Sequence, residues 1–144
     1  MHQTGRFGNL EEIKLKISDE GAKAIADALT RNKTLQKLNL STNQITDIGC
    51  KAIADAFKIN NTLQKLNLYS NEITHIGANY LLNVIINDTN NVINRIDLDE
   101  NDIDNYTLNY KQHTQKNGVE INISVAGIKF KTSTINLMER VKPI

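Results

Sequence analysis

Asn32–Ile45 reads NKTLQKLNLSTNQI and Asn60–Ile73 reads NNTLQKLNLYSNEI, nearly the same text displaced by 28 residues. A chain that repeats at a fixed period of this length builds one supersecondary unit several times and buries its apolar face by stacking neighbours. Within the unit, Leu35, Leu38 and Leu40 are predicted to point inward from a short strand. Lys37, Asn39 and Ser41 alternate outward, the period-two pattern of a sheet with one wet face. Asn43 then turns the chain, because its carboxamide offers donors and an acceptor to backbone groups left free where a strand bends out of a sheet. Asn71 and Asn101 take the same place in the next two units, which predicts a stacked asparagine ladder. Ile45, Ile73 and Ile103, two residues further on, are predicted core.

Working outward, units begin near Leu10, Leu35, Leu63 and Ile93, and a degraded strand follows at Val119. The second half of each is predicted helical. Gly21, Gly49 and Gly77 open GAKAIADAL, GCKAIADAF and GANYLLNVI, with small or apolar residues at helical spacing: Ala22, Ile25, Ala26 and Leu29 in the first, Cys50, Ile53, Ala54 and Phe57 in the second. The opposite face carries Lys23, Asp27 and Arg31 at i, i+4 spacing, as a solvated surface should.

These residues resemble the ribonuclease-inhibitor-like subfamily of leucine-rich repeats. Its pattern is a strand L-x-x-L-x-L-x-x-N-x-I, a helix G-A-x-x-(I/L)-A-x-A-(L/F) and an N-x-T linker. The resemblance covers about residues 10 to 104. Similar repeats occur in ribonuclease inhibitor, NACHT-type receptors, the Ran GTPase-activating protein and bacterial effectors. It implies an α/β leucine-rich repeat solenoid, a right-handed horseshoe segment with a concave parallel sheet and convex helices, and protein recognition by the concave face and adjoining loops. Two units depart from the pattern: the first lacks its asparagine loop, and the helix of the fourth (NYTLNYKQHTQK) lacks the glycine and the small residues.

Terminal repeats are expected to be atypical and polar outside. The first strand reads EIKLKI, with lysines that guard an edge, and VEINISV-AG-IKFKT is predicted to form an antiparallel hairpin around Ala126–Gly127. A short helix over Thr134–Lys142, stopped by Pro143, completes a predicted hairpin and helix cap over about residues 118–144. The whole chain, 1–144, is thus expected to be one domain.

Seventeen basic against sixteen acidic residues give a net charge of +1, no global field to draw in nucleic acid or an anionic membrane. The sequence therefore predicts no nucleic-acid and no membrane partner. One cysteine forms no internal disulfide, and Met1–Lys14 has no apolar run of signal-peptide length. A cytoplasmic protein is expected, with delivery into a host cell as an effector the other route open to such repeats. Asp97–Asp104 (DLDENDID) imitates the start of an EF-hand loop, but Asp102 stands where that loop needs glycine and Leu108 where it needs glutamate. His2, His75 and His113 lie in unrelated units, so no metal and no cofactor is expected. The sequons at Asn32, Asn39, Asn60, Asn87, Asn105 and Asn122 are those of an asparagine-rich chain. Cys50 shares the inward column of Ala22 and Ala78, a small buried hydrophobe.

No nucleophile, base and orienting group recur together, so no catalytic residue is assigned and an enzyme is not expected. The predicted binding surface is the outward strand columns. Lys37, Lys65 and Arg95 form one, continuing Glu12; Asn39, Asn67 and Asp97 form the next, continuing Lys14; Ser41, Tyr69 and Asp99 form a third. Tyr69 is the best anchor, because binding hot spots favour tyrosine, tryptophan and arginine. The expected function is a non-catalytic protein–protein interaction module, a monomer or one module of a larger assembly. The alternative is a regulator of a nucleotide-binding partner such as a GTPase activator, which rests on the Ran-activator resemblance.

Overall fold

The computed structural model describes residues 16–88, 90–103, 122–125 and 128–131. Three helices alternate with three short strands: α1 (Asp19–Leu29), β1 (Lys37–Asn39), α2 (Asp47–Ala56), β2 (Lys65–Asn67), α3 (His75–Asn87) and β3 (Arg95–Asp97). Two further strands follow, β4 (Asn122–Val125) and β5 (Ile128–Lys131). All five form one sheet in chain order. The first four strands run parallel and β5 pairs antiparallel with β4. The result is an α/β repeat fold. Of the predicted first strand EIKLKI only Lys16 and Ile17 are described, and they are not in a strand; the helix NYTLNYKQHTQK, the turn Ala126–Gly127 and the terminal helix lie outside the described residues.

The core lies between sheet and helices. From the strands and the residues flanking them it takes Leu40, Leu63, Leu66, Leu68, Ile93, Ile96 and Leu98; from the helices and their ends it takes Ala22, Ala26, Leu29, Ile53, Ala54, Phe57, Leu81, Leu82 and Ile85, all buried. Ile45, Ile73 and Ile103 join them as expected. Leu35 does not. It remains 37% exposed while its counterparts Leu63 and Ile93 are buried.

The asparagine ladder forms, and it joins repeats. The Asn71 carboxamide oxygen accepts from the backbone N–H of Ile45 at 3.0 Å, one repeat back, and its nitrogen donates to Leu40 O at 3.0 Å and Leu68 O at 3.1 Å. Asn43 accepts from Ile17 N at 2.8 Å, and Asn101 accepts from Ile73 N and donates to Leu68 O. A second buried asparagine does the same at the other end of the helices. Asn60 donates to Leu29 O and Asn32 O of the preceding repeat and accepts from Thr62 N and Leu63 N in its own. Each carboxamide satisfies backbone groups that the chain leaves unpaired where it enters or leaves a regular element.

The helices begin two residues before the glycines expected to open them. Thr46 and Thr74 are the N-caps, each accepting from the N–H two residues on at 3.2 Å. The preceding helix then adds a carboxylate. Asp19, the first residue of α1, accepts from Thr46 N (2.8 Å), Thr46 Oγ1 (2.5 Å) and Gly49 N (3.0 Å), all at the start of α2. Asp47 repeats the clamp on Thr74 and Gly77. The glycines serve this approach. A Cβ on Gly49 would meet Asp19 Oδ1 at 2.6 Å and Ala22 Cβ at 2.9 Å, and one on Gly77 would collide with Asp47 Oδ1. The third helix carries His75 at the clamp position, so the series stops there.

Candidate functional site

The expected outward columns are in register. Lys37, Lys65 and Arg95 are direct cross-strand neighbours, and so are Asn39, Asn67 and Asp97. The inward positions between them, Leu38, Leu66 and Ile96, turn to the helices. At the next strand the first column continues to Asn122 and the second to Ser124. Beyond the strands, the ladder of backbone bonds runs on through the turns: Thr42 N donates to Tyr69 O and Ser70 N to Asp99 O. Ser41, Tyr69 and Asp99 are therefore held as a third row. Glu12 and Lys14 lie outside the described residues.

The middle row is less free than strand alternation implies. Asn39 Oδ1 accepts from Ser41 N, Asn67 Oδ1 from Tyr69 N and Asp97 Oδ1 from Asp99 N, each at 2.9 Å. These side chains shape the turns that present the third row. The turns are also conformationally unusual: Thr42, Ser70 and Glu100 sit at φ of 57°, 56° and 60°, the left-handed region that non-glycine residues seldom occupy. Tyr69 stands beside the second of them, 41% exposed. Lys65 donates to Asn94 Oδ1 at 3.2 Å, which steers its ammonium along the first row.

A different polar cluster lies on the helix side, and sequence reading missed it. Tyr80 donates a short hydrogen bond to Asp55, Lys58 pairs with Asp55 at 3.3 Å, and Lys51 and Lys58 stand 5.4 and 5.8 Å from the Tyr80 ring centre. The bond to Asp55 holds the Tyr80 hydroxyl above its usual pKa, and hydrogen bonds to Tyr80 and Asp55 raise that of Lys58. Lys58 and Tyr80 edge a shallow open cleft of about 320 Å³. Spacing along either helix alone gives no hint of it, since the partners come from α2, the turn that follows it and α3. On the same side, Arg31 pairs with Asp27 at 3.0 Å. Cys50 is fully buried, and burial pushes its thiol far above the ordinary range. Among the described residues no three His, Cys, Asp or Glu side chains converge on a metal position, and no helix is long and apolar enough to cross a membrane.

The stacked rows, the asparagine ladder and the strand–helix period together decide the likeness. Residues 31–54 and 60–82 match the leucine rich repeat family. The two matched stretches contain β1, β2, α3 up to Leu82 and most of α2. Among solved structures the chain is similar to leiomodin-1 actin-binding site 2 (ABS2), with a TM-score of 0.61 and 18% identity, over 87% of this chain and 71% of that one. At that identity the likeness is one of fold. No curated protein sequence matches the chain.

Proposed function

We propose that this chain is a non-catalytic protein-interaction module that engages its partner through the open face of the sheet and the adjoining turns. In this reading residues 1–144 form one cytoplasmic domain of the ribonuclease-inhibitor-like kind, curved so that the sheet lies on the concave side. The observation that carries the proposal is the set of three in-register rows: Lys37, Lys65 and Arg95; Asn39, Asn67 and Asp97; Ser41, Tyr69 and Asp99. Side chains set in rows by the sheet beneath them lose less freedom on binding than the long solvated Lys23 of α1. Leucine-rich repeats are typically interaction modules of this sort.

Size bounds the complex. Strands three residues long and about 4.8 Å apart offer a few hundred Å², against roughly 800 Å² per partner in a standard interface. The turns Ser41–Asn43, Tyr69–Asn71 and Asp99–Asp102 must add area for a tight complex. Tyr69 is the central anchor.

A photo-crosslinking aromatic amino acid at position 69 tests this. It is expected to give a discrete protein adduct in the source-cell extract, competed by excess wild-type chain and not by Tyr69→Ala, while the same probe at Lys51 gives none. Adducts confined to position 51 would overturn the sheet-face reading. Actin, named in the leiomodin-1 neighbour, is the first purified partner to assay, by co-sedimentation with filaments.

A further inference from the structure

Lys37, Lys65 and Arg95 open β1, β2 and β3 and are adjacent in register, so they stand about 4.8 Å apart at the backbone. Among the described residues the ion pairs are Arg31 with Asp27 and Lys58 with Asp55, all on the helix side. None of the three sheet cations has a carboxylate partner there. Like charges directly opposite one another weaken a sheet, so this row opposes folding, and among the described residues no carboxylate forms an ion pair with it. Copying of one repeat accounts for Lys37 and Lys65, whose surroundings, QKLNL and QKLNL, are the same. It does not account for Arg95. The corresponding segment there is NRIDL, in which glutamine, leucine and asparagine have all been replaced and the lysine has become a different cation.

We infer that this row seats an acidic stripe of a partner protein, carried by a helix that lies across the strands. The inference rests on the sheet-face reading above and adds the chemistry of the partner. Carboxylates at i, i+3 or i+4, and i+7 share one face of a helix and span about 10.5 Å, against about 9.6 Å across three strands. Arg95 takes its carboxylate in a two-pronged fork and the lysines take theirs as point charges. The far end of β3 sets the direction. Asp97 follows Arg95 on the same face about 6.6 Å away, and the exposed Glu100 lies beyond it, so the partner needs acids over the strand starts and a cation towards that corner. A nucleic-acid strand would also supply anions, but its unbroken phosphates would run within roughly a Debye length of Asp97 and Glu100. An acidic protein segment of mixed pattern avoids that repulsion.

The test titrates the full chain with three labelled probes at 50 and 200 mM salt, read by fluorescence anisotropy. They are a helical peptide with glutamates in one stripe, a peptide of the same composition with the glutamates scattered round the helix, and a fifteen-nucleotide oligothymidylate. The striped peptide is expected to bind at least fivefold tighter than the scattered one, and to lose at least fivefold in affinity between the two salts. Lys37→Glu/Lys65→Glu should weaken it tenfold or more, Lys37→Gln/Lys65→Gln by less, and Lys23→Glu/Lys51→Glu by under twofold. Equal binding of the two peptides, equal binding by the Lys37→Glu/Lys65→Glu variant and the wild type, or tighter binding of the oligonucleotide would each overturn the inference. The position-69 crosslink separates this from the parent reading. An adduct that persists at full yield with Lys37→Glu/Lys65→Glu removes the acidic stripe and leaves the face, whereas a missing adduct removes the face itself.

Discussion

Asn67 and Asn71 stand four residues apart in one repeat, and both turn a carboxamide onto the backbone, but they do different work. Asn71 is buried, accepts from Ile45 of the preceding repeat and donates to carbonyls of both repeats. Asn67 makes one local bond, to Tyr69 N. The buried residue needs donors and an acceptor at once, which only a carboxamide supplies there. The open one needs an acceptor alone, so Asp97 replaces it in the following repeat with the same 2.9 Å bond. One position couples repeats, and the other shapes a surface that is free to vary.

The largest effect expected from this contrast is at the buried site. Asn71→Ala should destabilise the chain by about 1–3 kcal/mol, because the buried Ile45 N–H loses its acceptor, while Leu40 O and Leu68 O keep only Asn43 and Asn101 as side-chain donors. Asn71→Asp should rescue little, since it cannot donate. Urea unfolding gives both numbers, and a loss under about 0.5 kcal/mol would break the distinction.

An intermediate effect belongs to the carboxylate clamp. Burial works against ionised Asp19, but hydrogen bonds from Thr46 and Gly49 and the charge of Lys23 outweigh it and hold its pKa below the usual carboxylate value. A depressed folded pKa adds stability that is present above the unfolded pKa, about 3.9, and is lost as pH falls through the folded one. The urea midpoint of the wild type should therefore drop more steeply between pH 5 and pH 2.5 than that of Asp19→Asn. Parallel pH profiles would mean that the clamp gains nothing from its charge.

The smallest change is expected on the open face. Asn67→Ala removes one partly exposed local bond and should cost about 0.5 kcal/mol, while Asn67→Asp should be near neutral. An Asn67→Ala loss matching that of Asn71→Ala would sharpen the picture in the other direction, making the turn before Tyr69 a structural joint.

The strand–turn half of this architecture was legible in the sequence because its signal is local. Leu38, Leu40, Asn43 and Ile45 announce themselves within eight residues, and the 28-residue offset places each on its counterpart. The clamp was not legible in the same way. An aspartate after a serine or threonine reads as part of its own helix start, yet Asp19 serves Thr46, 27 residues away. The signal that could have found it was the recurrence of S-D-x-G and T-D-x-G at one register. The bond from Ser41 N to Asn39 was not legible either, because alternation says which way a side chain points, not what it bonds beyond the strand. The Tyr80 cluster is assembled from two helices, and no single-helix period encodes it. For the candidate site, the columns were readable from the repeat, but the left-handed turns that present Ser41, Tyr69 and Asp99 were not, because Thr42, Ser70 and Glu100 carry no glycine signal.

The two inter-repeat ladders point in opposite senses along the chain: a carboxamide reaches backward and a carboxylate reaches forward. The segment Thr46–Ile73 contains one of each, Asp47 and Asn71. A tandem duplication of that gene segment would therefore meet every requirement of its neighbours at both new junctions, and the array could lengthen by a whole repeat in one genetic step. Duplicating Thr74–Asn101 would not. With His75 where the carboxylate belongs, the added copy would begin at an unclamped threonine, so growth of this array is open in its middle and closed towards its end.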